Sequence, residues 1–274
     1  MRIASNSSRI AFDLLNNKTV MVEQFSQKPL KIVNPQSNRQ ACLCMLTSYG
    51  GGFVQGDKVA LDVHCRSHTS SVISSQANTR VYESNGALCT QEINVRLETG
   101  AFHVFFNDPL VMHRDGVFHQ KSSFYLQKDS VLLYFDWFTA GRTAYGEVFD
   151  FEEYDAVTKM YVEQKCELWD AFTITPKNSD VQSPGAFDKA TSFVNVYLIG
   201  DKNLEKVKLL EEVLHSTESN YEGTFKNVAR INENSLVSRY ADHDLVRLKK
   251  AVNTITRQLE DKSLLHFDPL IRKY

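Results

Sequence analysis

Alternation of apolar and polar residues dominates the first 175 positions of the chain. Val59, Leu61, Val63 and Cys65 share one parity, and Ile93, Val95 and Leu97 repeat the pattern. Period-two runs of this kind predict half-buried strands. Turn chemistry separates them: Asn34-Pro35, Gly50-Gly51-Gly52, Asn85-Gly86, Thr99-Gly100 and Lys128-Asp129 supply residues that tolerate unusual backbone angles. Met1 to Leu15 alternates in the same way and reads as a first strand, without the continuous apolar stretch of a secretory signal. The pattern predicts an all-β body.

Ser70-Ser71-Val72-Ile73, Gly100-Ala101-Phe102-His103 and Asp129-Ser130-Val131-Leu132 recur at spacings of 30 and 29, each a small or turn residue entering an apolar strand. Repeats that cannot bury an apolar face alone do so by stacking, so a layered or β-helical body is expected rather than a simple sandwich. Chance recurrence of similar hairpins is the competing explanation.

After Thr175 to Pro184 the pattern changes. Ser192 to Ile199 reads as a strand. Asp201 is placed to cap a helix with Leu204, Val207, Leu210, Val213 and Leu214 on one face. Two further strands are expected at Phe225 to Ile231 and Ser235 to Tyr240. A second helix, capped by Asp242, is expected from about His243 to Leu259. The fold class expected is therefore mainly β, with a layered or β-helical body over residues 1–184. A smaller β-α-β-β-α portion over 185–274 packs on it to form one structural unit.

Composition narrows the function classes. Lys and Arg total 31 against 33 for Asp and Glu, a formal net charge of −2, so nothing points to nucleic acid. No apolar run approaches the roughly 20 residues of a membrane-spanning helix, and no membrane partner is expected. Cys42, Cys44, Cys65, Cys89 and Cys166 form an odd set without disulfide-framework spacing, which fits a reducing, cytoplasmic compartment. Their spacing to His64 and His68 completes no zinc site. His103, His113 and His119 are scattered.

Two local features stand out. Gly50-Gly51-Gly52-Phe53-Val54-Gln55-Gly56-Asp57 concentrates four glycines between two strands. Glycines so placed serve positive φ or a close backbone approach. A phosphate-binding loop would need Lys-Ser/Thr and then a helix, whereas Asp57-Lys58 leads into a strand. A bulged turn in which Asp57 accepts from the loop's own amides is the simpler account. The second feature sets Asp136 inside the apolar stretch Tyr134 to Phe138, followed by Gly141-Arg142-x-x-x-Gly146-Glu147. A buried carboxylate needs a partner, and Arg142 is available to Asp136 or Glu147. Between them, Ser74-Ser75-Gln76-Ala77-Asn78-Thr79-Arg80-Val81-Tyr82 is polar within strand-like sequence, as a hydrated interior or an exposed face would require. No catalytic signature is present.

These segments together resemble the UreD (UreH) family of urease accessory proteins. Gly51, Gly52, Gly56 and Asp57 are similar to its Gly-Gly-x-x-x-Gly-Asp signature. Gln76, Thr79 and Tyr82 are similar to its Thr-x-Gln-Ala-x-Thr-Lys-x-Tyr segment, with Arg80 where lysine is frequent and Asn78 where a small residue is usual. Asp108-Pro109 resembles its Asp-Pro element, and Asp136, Gly141, Arg142, Gly146 and Glu147 its later acids and turn. The resemblance implies a β-helical fold and a non-catalytic scaffold. Such a scaffold binds apo-urease subunits, recruits UreF and through it the GTPase UreG, and assists nickel insertion. It implies no tightly bound cofactor, with nickel in transit past Asp57, Asp136 and Glu147. Dispersed carboxylates attract a divalent ion without trapping it as clustered His or Cys ligands would. The alternative is a carbohydrate-active β-solenoid enzyme using two of those three acids, which would need them facing across an open cleft.

Overall fold

The computed structural model describes residues 7–35, 40–217 and 223–270. The chain opens with a hairpin, β1 (Ser8–Leu15) and β2 (Lys18–Phe25), turned by Asn16 and Asn17 at φ 50° and 60°. Both angles are those of the tight hairpin turns that match strand twist. There follow β3 (Leu30–Val33), β4 (Cys42–Ser48), the short β5 (Gly52–Phe53), β6 (Lys58–Cys65), β7 (Ser70–Ser75) and β8 (Thr79–Val81). Next come β9 (Cys89–Leu97), β10 (Phe102–Phe106), β11 (Leu110–Met112), β12 (Val117–Leu126) and β13 (Val131–Thr139). The remainder comprises β14 (Glu153–Val162), β15 (Lys165–Ile174), β16 (Ser192–Ile199), α1 (Glu205–Ser216), β17 (Phe225–Asn232), β18 (Ser235–Asp242) and α2 (Leu245–Asp261).

Two sheets stack face to face. The first runs β15-β14-β12-β9-β6-β1-β2 and the second β17-β18-β16-β13-β10-β7-β4-β3, with β5, β8 and β11 joined to the second. The chain alternates between them, so β6, β9, β12 and β14 lie parallel in one sheet and β4, β7, β10 and β13 parallel in the other. This is the rung stacking that the repeat predicts. The spacing from Gly100 to Asp129 matches the observed register, Phe102 opposite Val131. The first rung does not: Ser70 pairs with Phe102, not Gly100. The two-residue error leaves every side chain on its expected face, because the strand period is two.

Inward positions of both sheets make one apolar core, which includes Phe12, Val95, Phe105, Phe118, Phe124 and Tyr154. The outer face of the second sheet makes another with the helices, around Phe135, Val196, Leu210, Leu248 and Ile255. All nine residues of β13, sandwiched between these cores, are buried. The β-α-β-β-α order follows the sequence pattern, but both helix starts differ from expectation. Asp201 accepts from Asn203 N within a turn, and α1 begins at Glu205 with no side-chain cap. Asp244 rather than Asp242 caps α2, accepting from Val246 N at 2.8 Å. Asp242 is buried, and one of its oxygens accepts from Asp244 N. β16 pairs along its whole length with β13, so the second sheet continues without a break from the solenoid-like body into the α/β segment.

Candidate functional site

The glycine-rich loop folds as its composition requires. Asp57 Oδ2 accepts from Val54 N at 2.9 Å, and Asp57 N donates to Val54 O, closing the turn. The Asp57 carboxylate thus serves its own loop. Gly52 sits where β5 meets β8: a Cβ there would lie 2.4 Å from Arg80 O. Tyr82 Oη donates to Gly50 O, and Tyr82 packs edge-on against His113 at 4.8 Å. The polar stretch from Ser74 is split by this geometry. Ser74 and Ser75 are buried, whereas Gln76 and Arg80 are exposed and Thr79 half-buried. Thr79 N donates to Pro109 O, and Ser75 Oγ donates to Asp108 Oδ2 at 2.8 Å.

In the second motif Arg142 chooses Glu147. Its Nε donates to Glu147 Oε2 at 2.8 Å and its Nη2 to Oε1, a bidentate pair, and Arg114 N adds a longer contact. Hydrogen bonding from Arg142 holds the Glu147 carboxyl below its usual range against the opposing effect of burial. Gly141, at φ 138°, lets the turn close, since a Cβ there would stand 2.8 Å from Glu147 O; Gly146 ends it in the left-handed region. Replacing Arg142 with Met is expected to lower the melting temperature, because Glu147 is 7 % exposed and loses its counter-charge. Adding Glu147→Gln should restore part of the loss, as read by thermal unfolding of the single and double variants.

Asp136 has no arginine. It projects between the sheets, where Gln120 Nε2 donates to its Oδ1 at 3.1 Å and Tyr134, Tyr154 and Tyr197 surround it. Burial pushes its carboxyl up to about 6, partly opposed by the Gln120 hydrogen bond. Asp136 belongs to a row of polar side chains at one level of the stacked rungs. On the second sheet Asp136 pairs with Asn195 and Asn195 with Arg239. Ser75 lies at the same level, one residue past the paired Ser74, Phe106 and Phe135. On the first sheet Gln91 pairs with Gln120. Each end of the row meets a depression. Ser75 and Gln91 line a small cleft with Gly52, Thr79 and Asn107, where the first two motifs meet. Asn195 and Arg239 line a larger groove with Asp170, which accepts from Tyr197 Oη at 2.8 Å and Arg239 Nη2 at 2.6 Å.

Gln120, Asn195 and Asp170 carry no motif and are missed by sequence reasoning. The available signal was a polar residue on the apolar parity of a strand: Gln120 and Ser122 stand between Phe118 and Phe124 on the same buried face. Among the described residues no three His, Cys, Asp or Glu side chains gather as a metal-ligand set. Asp57, Asp136 and Glu147 occupy three separate settings: a loop amide, the inter-sheet row and an arginine clamp.

Parallel β-rungs stacked around a largely apolar core, crossed by a few buried polar side chains, define a protein of the β-solenoid-like class. The chain matches the family model described as UreD urease accessory protein over residues 5–272. It is 36 % identical to the urease accessory protein UreD of Cytophaga hutchinsonii over 88 % of this chain and 89 % of that protein. It is 28 % identical to urease accessory protein D of Arabidopsis thaliana over 75 % and 72 %. To the urease accessory protein UreH of Helicobacter hepaticus it is 26 % identical over 75 % and 81 %. The chain belongs to the UreD family of urease accessory proteins.

Proposed function

We propose that this chain is a non-catalytic scaffold for urease maturation in the cytoplasm. It binds apo-urease subunits, recruits UreF and through it UreG, and guides nickel to the urease active site along the inter-sheet row. The observation that carries this reading is the row itself. Side-chain amides, the Ser75 hydroxyl and one carboxylate stand at a single rung level between two surface depressions, inside a largely apolar core. Buried polar side chains disfavour folding unless they are paired or serve a function. Oxygen donors without clustered imidazole or thiolate suit a nickel ion that must be released again. Asp136 is the acid on the route. Asp57 and Glu147, already engaged by Val54 and Arg142, act by holding the loops near its ends.

Nothing favours a glycosidase. Its two carboxyl groups must face each other across an open cleft, whereas Asp136 is buried and Glu147 is clamped by arginine. Co-purification tests the partners directly. Tagged chain is expected to retain urease structural subunits and UreF together, with UreG retained only when UreF is present; retention of none of them contradicts the reading. Asp57→Ala and Glu147→Ala variants that assemble normally are expected to slow in vitro activation less than changes at Asp136.

A further inference from the structure

The polar row ends on a charge. Asp136 pairs with Asn195 and Asn195 with Arg239, so Arg239 stands at the groove end at the same rung level. From β18 its Nη2 crosses to the first sheet and donates to Asp170 Oδ2 at 2.6 Å. Arg239 and Asp170 line both the depression beside β17 and the larger groove.

Asp170 is joined to the interior through both sheets. On the second, Tyr197 Oη donates to the same Oδ2 at 2.8 Å, and the Tyr197 ring stacks on Tyr134 at 5.7 Å. On the first, Asp170 pairs with Thr158 and Thr158 with Ser122, both buried, and Ser122 Oγ meets Tyr134 Oη at 3.4 Å. Gln120 Nε2 then reaches both Tyr134 Oη and Asp136 Oδ1. The two carboxylates act on each other across this interior: burial first, and the Asp170 charge after it, raise the Asp136 carboxyl. Tyr154 is an independent sign that a polar guest is received here. It is fully buried, its hydroxyl has no hydrogen-bond partner among the described residues, and Asp136 is the strongest charge acting on it.

We infer that Arg239 is a displaceable counter-ion: it neutralises Asp170 until a divalent cation entering from the groove takes its place. The inference rests on the row as a nickel route and adds the step that controls entry. Three features select displacement over a fixed structural pair. Arg142 grips both oxygens of Glu147 with two nitrogens, whereas Arg239 holds Asp170 through one nitrogen, on an oxygen shared with Tyr197. Burial is lopsided, with the Arg239 side chain 50 % exposed and that of Asp170 17 %. The arginine therefore swings into water at little cost while the carboxylate stays in place. Charge decides the valence of the guest. Asp136, Asp170 and one guanidinium leave a negative charge unmatched, whereas the two carboxylates and a divalent ion balance.

Isothermal titration calorimetry of the full chain with Ni²⁺ alone tests this. Arg239→Gln is expected to bind nickel roughly fivefold more tightly than the parent or better, because Asp170 has lost its competing cation. Its melting temperature should stay close to that of the parent. Arg239→Lys, which keeps the charge, should remain within about twofold of the parent. The gain should vanish in an Arg239→Gln, Asp170→Asn chain, and Asp136→Asn should weaken binding on its own. Unchanged or weaker affinity in Arg239→Gln, or a fold lost in that variant and kept in Arg239→Lys, makes the pair structural and overturns the inference; the route stands if Asp136→Asn still weakens binding. Equal affinity in all of these chains, Asp136→Asn included, overturns both.

Discussion

Asp136→Asn is expected to yield a protein that is more stable above pH 6 and a poorer activator of urease. The carboxyl is 5 % exposed, and burial raises it from an ordinary value of 3.8 to about 6. A raised carboxyl binds its proton more readily in the folded than in the unfolded chain. The wild-type protein therefore loses stability as pH climbs from about 4 to 6, and the full penalty applies above that. A tenfold change in proton affinity is worth ~1.4 kcal/mol, so the penalty is on the order of 2–3 kcal/mol. Asparagine keeps the shape and can still accept from Gln120, yet carries no charge to desolvate. Thermal unfolding at pH 4 and pH 7.5 should show the variant gaining only at the higher pH. In activation assays the same variant should be slower, because the row has lost its one buried anion. A residue retained for packing alone would not combine a stability gain with a functional loss.

The second large effect is at Gly52. A valine there would place its Cβ 2.4 Å from the Arg80 carbonyl oxygen, and that neighbour is backbone held in the β5–β8 pairing. The strands must part, which takes Phe53 and Val81 out of register in the core and exposes the cleft at the Ser75 end of the row. Overpacking of this kind costs about 3 kcal/mol, a fall of roughly 10 °C in Tm for a chain of this size. Gly50→Asn is the informative comparison. Its backbone is left-handed at φ 81°, but open space surrounds the position, and asparagine tolerates that conformation. The expected loss is small, as read in the same unfolding experiment.

The strands were readable because period-two alternation survives in β6, β9 and β12, where one face is buried and the other wet. β13 was readable for the opposite reason. It lies between two cores, so its run from Val131 to Phe138 is almost unbroken in hydrophobicity, and Asp136 stands out against it. The capping residues were not readable to within two positions, since Asp242 and Asp244 offer the same side chain and only the buried contacts of Asp242 decide between them. The row was hidden for a topological reason. Ser75, Gln91, Gln120, Asp136 and Asn195 are brought level by rung stacking across 120 residues of chain, and no local window contains more than one of them. The Arg142–Glu147 pair, by contrast, is five residues apart and was visible as one of two possible pairings.

The three motif acids now carry different expectations. Asp57 and Glu147 are held by neighbours, and their first effect is on loop geometry. Asp136 is hydrogen-bonded by the Gln120 amide and ringed by tyrosines, with no cation paired to it. A hydrated divalent ion passing this point would exchange water for Asp136, Gln120 and Asn195 oxygens. Such an exchange would offset part of the ion's dehydration and of the carboxylate's burial.

The most direct test fills the row with apolar side chains and measures nickel-dependent urease activation. In a Gln120→Leu, Asn195→Leu chain, assembly with apo-urease and UreF should be intact by size-exclusion chromatography. Activation at a fixed nickel concentration should fall at least tenfold. Wild-type activation by an assembled, folded double variant would show that nickel does not travel between the sheets, and would contradict the account.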